Sequence, residues 1–465
     1  MTTAFARRPR AEGPLEVARD RAFELRISAS ALALLFVGAI VGVAGTIGPD
    51  ARWLGALGRT IAHGRGIPHG IPFAAAPSGS WPNVPALAEL VFSGLLGAFG
   101  DRGLLAAQLL AVTVGLVVLS RDARSAGASD AGTAASIVVL VPAALLALAG
   151  IKAQLFSLAL FPLLVALLRT ETRSPSRRAW LVVPLVALWS NLHGAVLLGL
   201  AVALVYLAVH RLRGRPLESL AIAAAAALAL CATPALERTP RYYLGVAGSE
   251  AAKRGYGLWA PLSPSSGFDL LLVVGAAALA VGFVRARPPA WEFVAAALLA
   301  GLTVHTARNG VWLLLFLAPR AAVALPARGR LRPAVGGTVA VALVGALVAG
   351  VARGPLSIGA RGPLVRQAIA AARGGSILAE SAPAEQIAAA GGRVWISNPL
   401  DAFTRRDQRA YIDWLQGKPS GDRALGHVRV VVSSTDSPSG RRLSRDDRFR
   451  IVATSASYRV FVRRR

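Results

Sequence analysis

The chain has 465 residues, of which 54% are hydrophobic and 16% charged, and its mean hydropathy is +0.54. A soluble core cannot hide that much apolar surface, and the repeated apolar runs of about 17–20 residues match the thickness of a hydrocarbon core, so the composition excludes a soluble globular protein. The formal charge of +27 would suggest nucleic acid in a soluble chain; here Arg clusters between apolar runs account for it through the positive-inside tendency, and no nucleic-acid partner is expected.

In chain order, residues 1–26 form a basic lead carrying Arg7, Arg8, Arg10, Arg19, Arg21 and Arg26. No small-residue cleavage pattern follows the first apolar run, so this lead is read as a cytoplasmic segment rather than a signal peptide. Ile27–Ile47 is the first span and delivers Asp50 to the outer side. The first outer loop, 48–102, is polar and rich in Pro and Gly, running from Asp50-Ala-Arg-Trp53 through Ser80-Trp-Pro82 to Leu87-Ala-Glu89. Within it, Ala86–Gly100 is short, carries Glu89 and is interrupted by Gly94 and Gly97. Counting it as a span would place every later Arg-rich loop outside, so it is read as an interfacial or re-entrant helix.

The spans that follow are Gly103–Leu119, Thr133–Gly150, Leu155–Leu168, Ala179–Ser190, His193–Val209, Leu217–Thr233, Gly267–Val284, Pro289–Thr303, Arg308–Pro326 and Ala334–Val351. With the first they make about eleven, and the arginines at 121 and 124, 169–178, 211–215, 285 and 287, and 328–332 then all face the cytoplasm. The single cysteine, Cys231, lies in an apolar run, so no disulfide within the chain and no Cys-type zinc site is expected. Residues 352–465 change character, with β-like runs at Ser376–Glu380, Arg393–Ser397, Val428–Ser433 and Tyr458–Val462 and helix-like runs at Ala384–Ala390 and Arg405–Gln416. The expected fold is an all-α polytopic membrane protein with a small C-terminal α/β domain outside the cytoplasm. That domain carries no glycine-rich phosphate loop.

This sidedness gathers the polar residues near span ends on one face: Asp50, Arg52, Trp53, Lys152, Gln154, Asn191, His193, Arg241, Tyr242, Glu250, Lys253, Trp259, His305, Arg308 and Asn309. Convergence of acids, bases and aromatic rings at one depth is the pattern of a site. Asp50 is suited to general-base work on an acceptor hydroxyl, or to a plain ion pair with Arg52; Glu89 is the second acid of the loop and the other candidate base. Lys152 and Arg308 suit a phosphate leaving group, or snorkelling to lipid headgroups. His193, in Trp189-Ser-Asn-Leu-His-Gly194, and His305 suit either a substrate contact or a bond to a carbonyl, and Glu250 and Lys253 have the spacing to pair with each other. His63 and His69 are a weak metal-ligand pattern. No metal site and no cofactor is specified, and a divalent ion is left open. Trp81, Trp189 and Trp259 suit the membrane interface.

The same residues resemble the first outer loop of GT-C-fold membrane glycosyltransferases, the broad group that includes protein O-mannosyltransferase-like and aminoarabinose-transferase-like enzymes: Asp50-x-x-Trp53, Gly58, Gly66-Ile-Pro68, Trp81 and Leu87-x-Glu89. Lys152-Ala-Gln154-Leu-Phe-Ser157 resembles an Arg-Pro-Gln-x-x-Ser element of uncharacterised bacterial members, Trp189–Gly194 their Trp-x-Asn-x-His-Gly turn, and Ala307-Arg-Asn309 their later Arg-Asn pair. The stretch His69-Gly-Ile-Pro-Phe-Ala74 lacks the second acid that family loops often carry. The resemblance implies an inverting transfer of a sugar from a polyprenyl-phosphate donor to an acceptor outside the cytoplasm, in the plasma (inner) membrane and among membrane lipids. It assigns catalysis to Asp50, with Glu89 the other candidate, and the residues expected to bind substrate beside them are Arg52, Trp53, Lys152, Gln154, Asn191, His193, Glu250, His305 and Arg308. A non-catalytic carrier of lipid-linked sugars or an envelope-assembly scaffold is the alternative.

Overall fold

The computed structural model describes residues 28–325 and 333–464 apart from positions 49, 358 and 361. The basic lead 1–26 and Arg328, Arg330 and Arg332 lie outside the described residues. Every stretch read as a span contains apolar helix. Four helices are long and apolar enough to cross a membrane, Ala86–Ser125, Gln154–Arg173, Gly267–Arg285 and Val335–Ala352. Ala29–Ala44, Asp130–Ala143, Val196–Arg211, Pro216–Ala229 and Ala290–His305 are shorter apolar helices. The run expected over Thr133–Gly150 is divided because Pro142 sits inside the first helix and Ala144 leaves helical geometry, after which Leu145–Ala149 resumes.

Ala86–Ser125 consists of two helical segments that meet at Gly100, whose φ of 59 and ψ of −148 are not helical, so the short arm bearing Glu89 stays distinct from the helix that follows, as the sequence reading separates them. The arm packs on the helix Ala51–Thr60, which begins at Asp50. At Gly58 the two backbones come so close that a Cβ would lie 2.0 Å from the Glu89 carbonyl oxygen, which explains the glycine.

Two very short strands set the site. β1 (Thr46–Ile47) pairs in parallel with β2 (Gly150–Ile151), Thr46 opposite Gly150 and Ile47 opposite Ile151. The Gly48 N–H adds a 3.2 Å bond to the Ile151 carbonyl. The chain just before Asp50 is thereby fastened to the chain just before Lys152.

At the other end of the bundle, charges read from sequence as loop arginines are buried. Arg169 is fully buried and binds Asp122 at 2.8 Å and Glu292 at 2.8 Å, and Glu292 also takes Arg320 at 2.6 Å. Arg211 is likewise buried against Glu171 at 3.0 Å. These pairs tie neighbouring helices together through buried, paired ions.

The C-terminal region forms a four-stranded sheet in the order β3 (Ile377–Ala379), β4 (Val430–Ser434), β6 (Tyr458–Arg463), β5 (Phe449–Thr454). β3 and β4 are parallel and the remaining pairs antiparallel. β5 was absent from the sequence reading, whereas the expected strand Arg393–Ser397 makes only isolated bridges, to Ile377 and to Ala74 of the first loop. That second bridge extends into backbone bonds from Ala75 N to Val394 O and from Ala76 N to Trp395 O, at 2.8 and 2.9 Å. Loop residues Trp53, Leu57, Ile71, Ala74, Ala76 and Trp81 belong to the same apolar cluster as the sheet. The loop and the C-terminal region therefore share one core, and the sequence boundary at residue 352 is not a boundary of packing.

Candidate active site

Asp50 caps the start of Ala51–Thr60 with φ 91 and ψ −30, a conformation costly for a residue with a Cβ and characteristic of functional positions. It lines a cavity of about 400 Å³ together with Lys152, Gln154, His193, Tyr242, Tyr243, Trp259, Arg308, Asn309 and Trp312. A second cavity of about 490 Å³, lined by Ala143, Leu146, Phe268, Leu272 and Val311 on one part and by Ser263, Ser265, Ser266 and Asp269 on another, also reaches Lys152, Gln154 and Arg308. The two cations stand where the cavities meet.

Each cation is held by a short piece of structure. Lys152 follows β2, and the helix Gln154–Arg173 starts beside it. Arg308 precedes the helix Gly310–Ala324, and its guanidinium lies 3.8 Å from the centre of the Trp259 ring. The Ala307 N–H to Ala260 carbonyl bond, 3.1 Å, draws those two segments together. Two helix N-termini and two side-chain cations thus point positive potential at one place. Burial holds the Lys152 ammonium below its ordinary value, opposed by Asp50. Burial raises the Asp50 carboxyl, opposed by Lys152 and then Arg308.

His193 sits in the turn between Val182–Ser190 and Val196–Tyr206. The Trp189 indole N–H donates to Ser157 Oγ at 2.6 Å, and Ser157 Oγ lies 2.7 Å from His193 Nδ1. An indole N–H only donates, so the Ser157 hydroxyl accepts from it and gives its own hydrogen to His193. That assigns the neutral tautomer with hydrogen on Nε2. Burial, then Lys152 and Arg308, push the imidazole down to about 3, consistent with a neutral donor at the cavity.

The other expected site residues fall elsewhere. Arg52 does not pair with Asp50; it binds Asp101 at 2.8 Å. Trp53 is buried against Phe73, ring centres 4.3 Å apart, and lies in the shared core rather than the cavity. Glu89 is buried and accepts from the Asn83 amide at 2.7 Å. Asn191 donates to the carbonyls of Ala187 and Ala232 at 2.8 and 2.6 Å, and its own carbonyl takes the Ala88 N–H. Glu250 faces Arg254 at 3.6 Å and the C-terminal Arg409 at 3.8 Å, not Lys253. His305 is exposed and lines neither cavity. Trp189 and Trp81 are buried, not interfacial; Trp81 donates to Asp401 Oδ2 at 2.9 Å. His63 is exposed and its Nδ1 lies 2.6 Å from the Arg59 carbonyl, and among the described residues no three His, Cys, Asp or Glu side chains cluster as metal ligands.

Three residues that the sequence reading omitted come from the C-terminal region. Glu385 Oε1 accepts the Asp50 N–H at 2.6 Å, the Asn398 amide lies 3.4 Å from the same oxygen, and Asp401 holds Trp81. Glu385 sits in an Ala-rich helix, Ser381–Ala389, with no motif around it. Its only sequence signal is a lone acid on an apolar helix face.

No protein-family model and no curated protein matches this chain. Solved structures do. ArnT from Cupriavidus metallidurans, in the apo state, superposes over 93% of this chain and 96% of its own length with a TM-score of 0.53 at 15% identity. The fold is that of the GT-C membrane glycosyltransferases. The same protein bound to undecaprenyl phosphate gives a TM-score of 0.53 at 14% identity, over 93% of this chain and 97% of that one. Arabinofuranosyltransferase AftD from Mycobacteria gives 0.47 at 17% identity, and this chain, 93% of it matched, covers 41% of AftD's length.

Proposed function

We propose that this protein is a membrane glycosyltransferase that takes a sugar from a polyprenyl-phosphate donor and transfers it, with inversion, to an acceptor hydroxyl outside the cytoplasm. The observation that carries the reading is the meeting of two cavities at Lys152 and Arg308. A lipid-linked sugar phosphate has parts that match: an apolar tail for the Leu146, Phe268 and Leu272 side of the second cavity, an anion for the two cations, and a sugar for the chamber with Asp50, His193 and the tyrosines. The likeness to a fold-mate solved with undecaprenyl phosphate agrees with this.

In the reaction the Asp50 carboxylate takes the proton of the acceptor hydroxyl as its oxygen attacks the anomeric carbon. The bond from that carbon to the phosphate oxygen breaks, and its electron pair leaves with the polyprenyl phosphate. Lys152 and Arg308 stabilise the charge that develops there, in a site already oriented for it. His193 Nε2–H offers a neutral hydrogen bond to a sugar hydroxyl. The eleven-span topology belongs to the same proposal, with the N-terminus cytoplasmic and the C-terminal region outside.

Two measurements test this. Purified wild-type protein given polyprenyl-phosphate sugars should release polyprenyl phosphate and label an envelope glycan, lipid or protein; binding without turnover would favour the carrier alternative. Cysteine reporters at Arg173 and Arg213 should be shielded from outside and those at Ser80 and Ser420 labelled; labelling at Arg173 would sink the topology.

A further inference from the structure

Glu385 is the acid at this site that the mechanism above leaves unused. Its side chain is 2% exposed, it belongs to the C-terminal region, and it touches the first residue of the catalytic helix. None of the cations among the described residues forms an ion pair with it: the cation that acts on it, Arg52, gives its guanidinium to Asp101 and Ser357. An ionised carboxylate so placed has the Asp50 N–H and the Asn398 amide as donors but no paired cation, so a proton is its remaining means of neutralisation. Its contact with Asp50 is specific, because the accepted N–H is the one that the left-handed backbone at Asp50 turns towards it.

We propose that Glu385 is the second carboxyl group of the active site, a positioning residue that fixes Asp50 through its backbone N–H and shares a single proton with the Asp50 carboxyl. The proposal rests on the reading of Asp50 as the base and deepens it. The surroundings decide which partner carries the proton. Asp50 faces the cations Lys152 and Arg308 and the amide of Asn398, with Asp401 and Tyr242 further off. Glu385 faces Asp50, Asn398, the engaged Arg52 and, beyond, Tyr411. Burial and then the Asp50 charge hold the Glu385 carboxyl well above the usual carboxylate range. The proton therefore resides on Glu385, and Asp50 stays ionised and able to act as a base. One ionised carboxylate against two cations leaves a single positive charge, which is what a phosphodiester monoanion requires. If both acids were ionised, no net positive charge would remain for the phosphate.

The test is the infrared carboxyl band of the full-length protein in lipid, titrated with pH. At neutral pH the wild type should show a protonated-carboxyl band that Glu385→Gln removes. In Asp50→Asn, with Glu385 intact, the midpoint of that band should fall by about one pH unit or more, the size of interaction at which two acids titrate as a pair. An unchanged band in Glu385→Gln overturns the proposal, and so does an unmoved midpoint in Asp50→Asn, which would mean that burial alone protonates Glu385. A band that develops only after chelation overturns it too, since a divalent cation would then take the place of the proton. Undecaprenyl phosphate binding separates this from the donor reading. Wild-type affinity should weaken as pH rises through the Glu385 midpoint, and Glu385→Gln should lack that step. Failure of undecaprenyl phosphate to bind the wild type, with the carboxyl band behaving as expected, would remove the donor reading and leave the acid pair standing.

Discussion

The helix Gln154–Arg173 has cations at both ends, and they are treated in opposite ways. Arg169, near its last turn, is surrounded by Asp122 and Glu292, with Arg320 completing the group. Lys152, two residues before its first turn, opens with Arg308 onto a cavity in which Asp50 is the nearest acid. The separation along the helix is about 24 Å. A charge that exists to join spans is matched by carboxylates on neighbouring spans. The cations at the cavity have Asp50 as their carboxylate neighbour and stay partly unmatched, as the proposed phosphate contact requires.

Several substitutions would break or sharpen that contrast. The largest effect belongs to Asp50→Asn, which keeps the shape of the side chain and removes its basicity; turnover should fall by about a hundredfold to ten-thousandfold. The melting temperature and undecaprenyl phosphate binding should survive, and a matching loss of either would make Asp50 a structural residue. At the other end, Arg169→Ala leaves Glu292 and Asp122 buried with less compensation and should destabilise the fold by roughly 3–5 kcal/mol, read as a lowered melting temperature in detergent. An unaltered melt there would mean that the ion cluster does not hold the bundle.

Lys152→Ala should act on binding instead, weakening undecaprenyl phosphate by about ten- to a hundredfold, as expected for loss of a hydrogen bond to a charged group of about 1.5–3 kcal/mol. Its fold should persist, because no carboxylate is orphaned in a closed core. Glu385→Gln should be smaller and pH-dependent. A raised native pKa means that folding takes up a proton above the unfolded value, so wild-type stability declines as pH rises from about 4 towards the native value. Glu385→Gln lacks that decline, so it should melt higher than wild type at pH 7 and equally at about pH 4; the opposite order would contradict a neutral Glu385. Smallest of all is Glu89→Gln, whose turnover should stay within about threefold of wild type. Its carboxylate is held by Asn83 away from the cavity, and a loss of general-base size would transfer the base to Glu89.

Much was legible in the sequence because it depends on local composition. Apolar runs long enough for helices gave the apolar helices, and the acid after the first of them gave Asp50. The turns at Lys152, His193 and Arg308 stood out as polar residues at apolar ends, and all line the cavity. Sequence alone could not distinguish Arg169 and Arg211 from solvated loop arginines, since their partners Asp122, Glu292 and Glu171 lie on other helices. Trp53 and Arg52 were misplaced because residues that follow Asp50 in sequence face a different way on the helix that it caps. Their side chains go to Phe73 and Asp101.

The sequence by itself determined the class of molecule, the position of its helices and the cations and acid of the cavity, because hydrophobic length and residue type are properties of single segments. Only the tertiary structure decided which acids share the site. The two-residue pairing of β1 with β2 sets Asp50 beside Lys152 across about a hundred residues of chain, and the Asp50 N–H meets Glu385 across 335. The first loop and the C-terminal sheet have to pack as one core for that second meeting to occur. Contacts of this kind leave no spacing in the sequence, because their partners are fixed by packing and not by the period of any element.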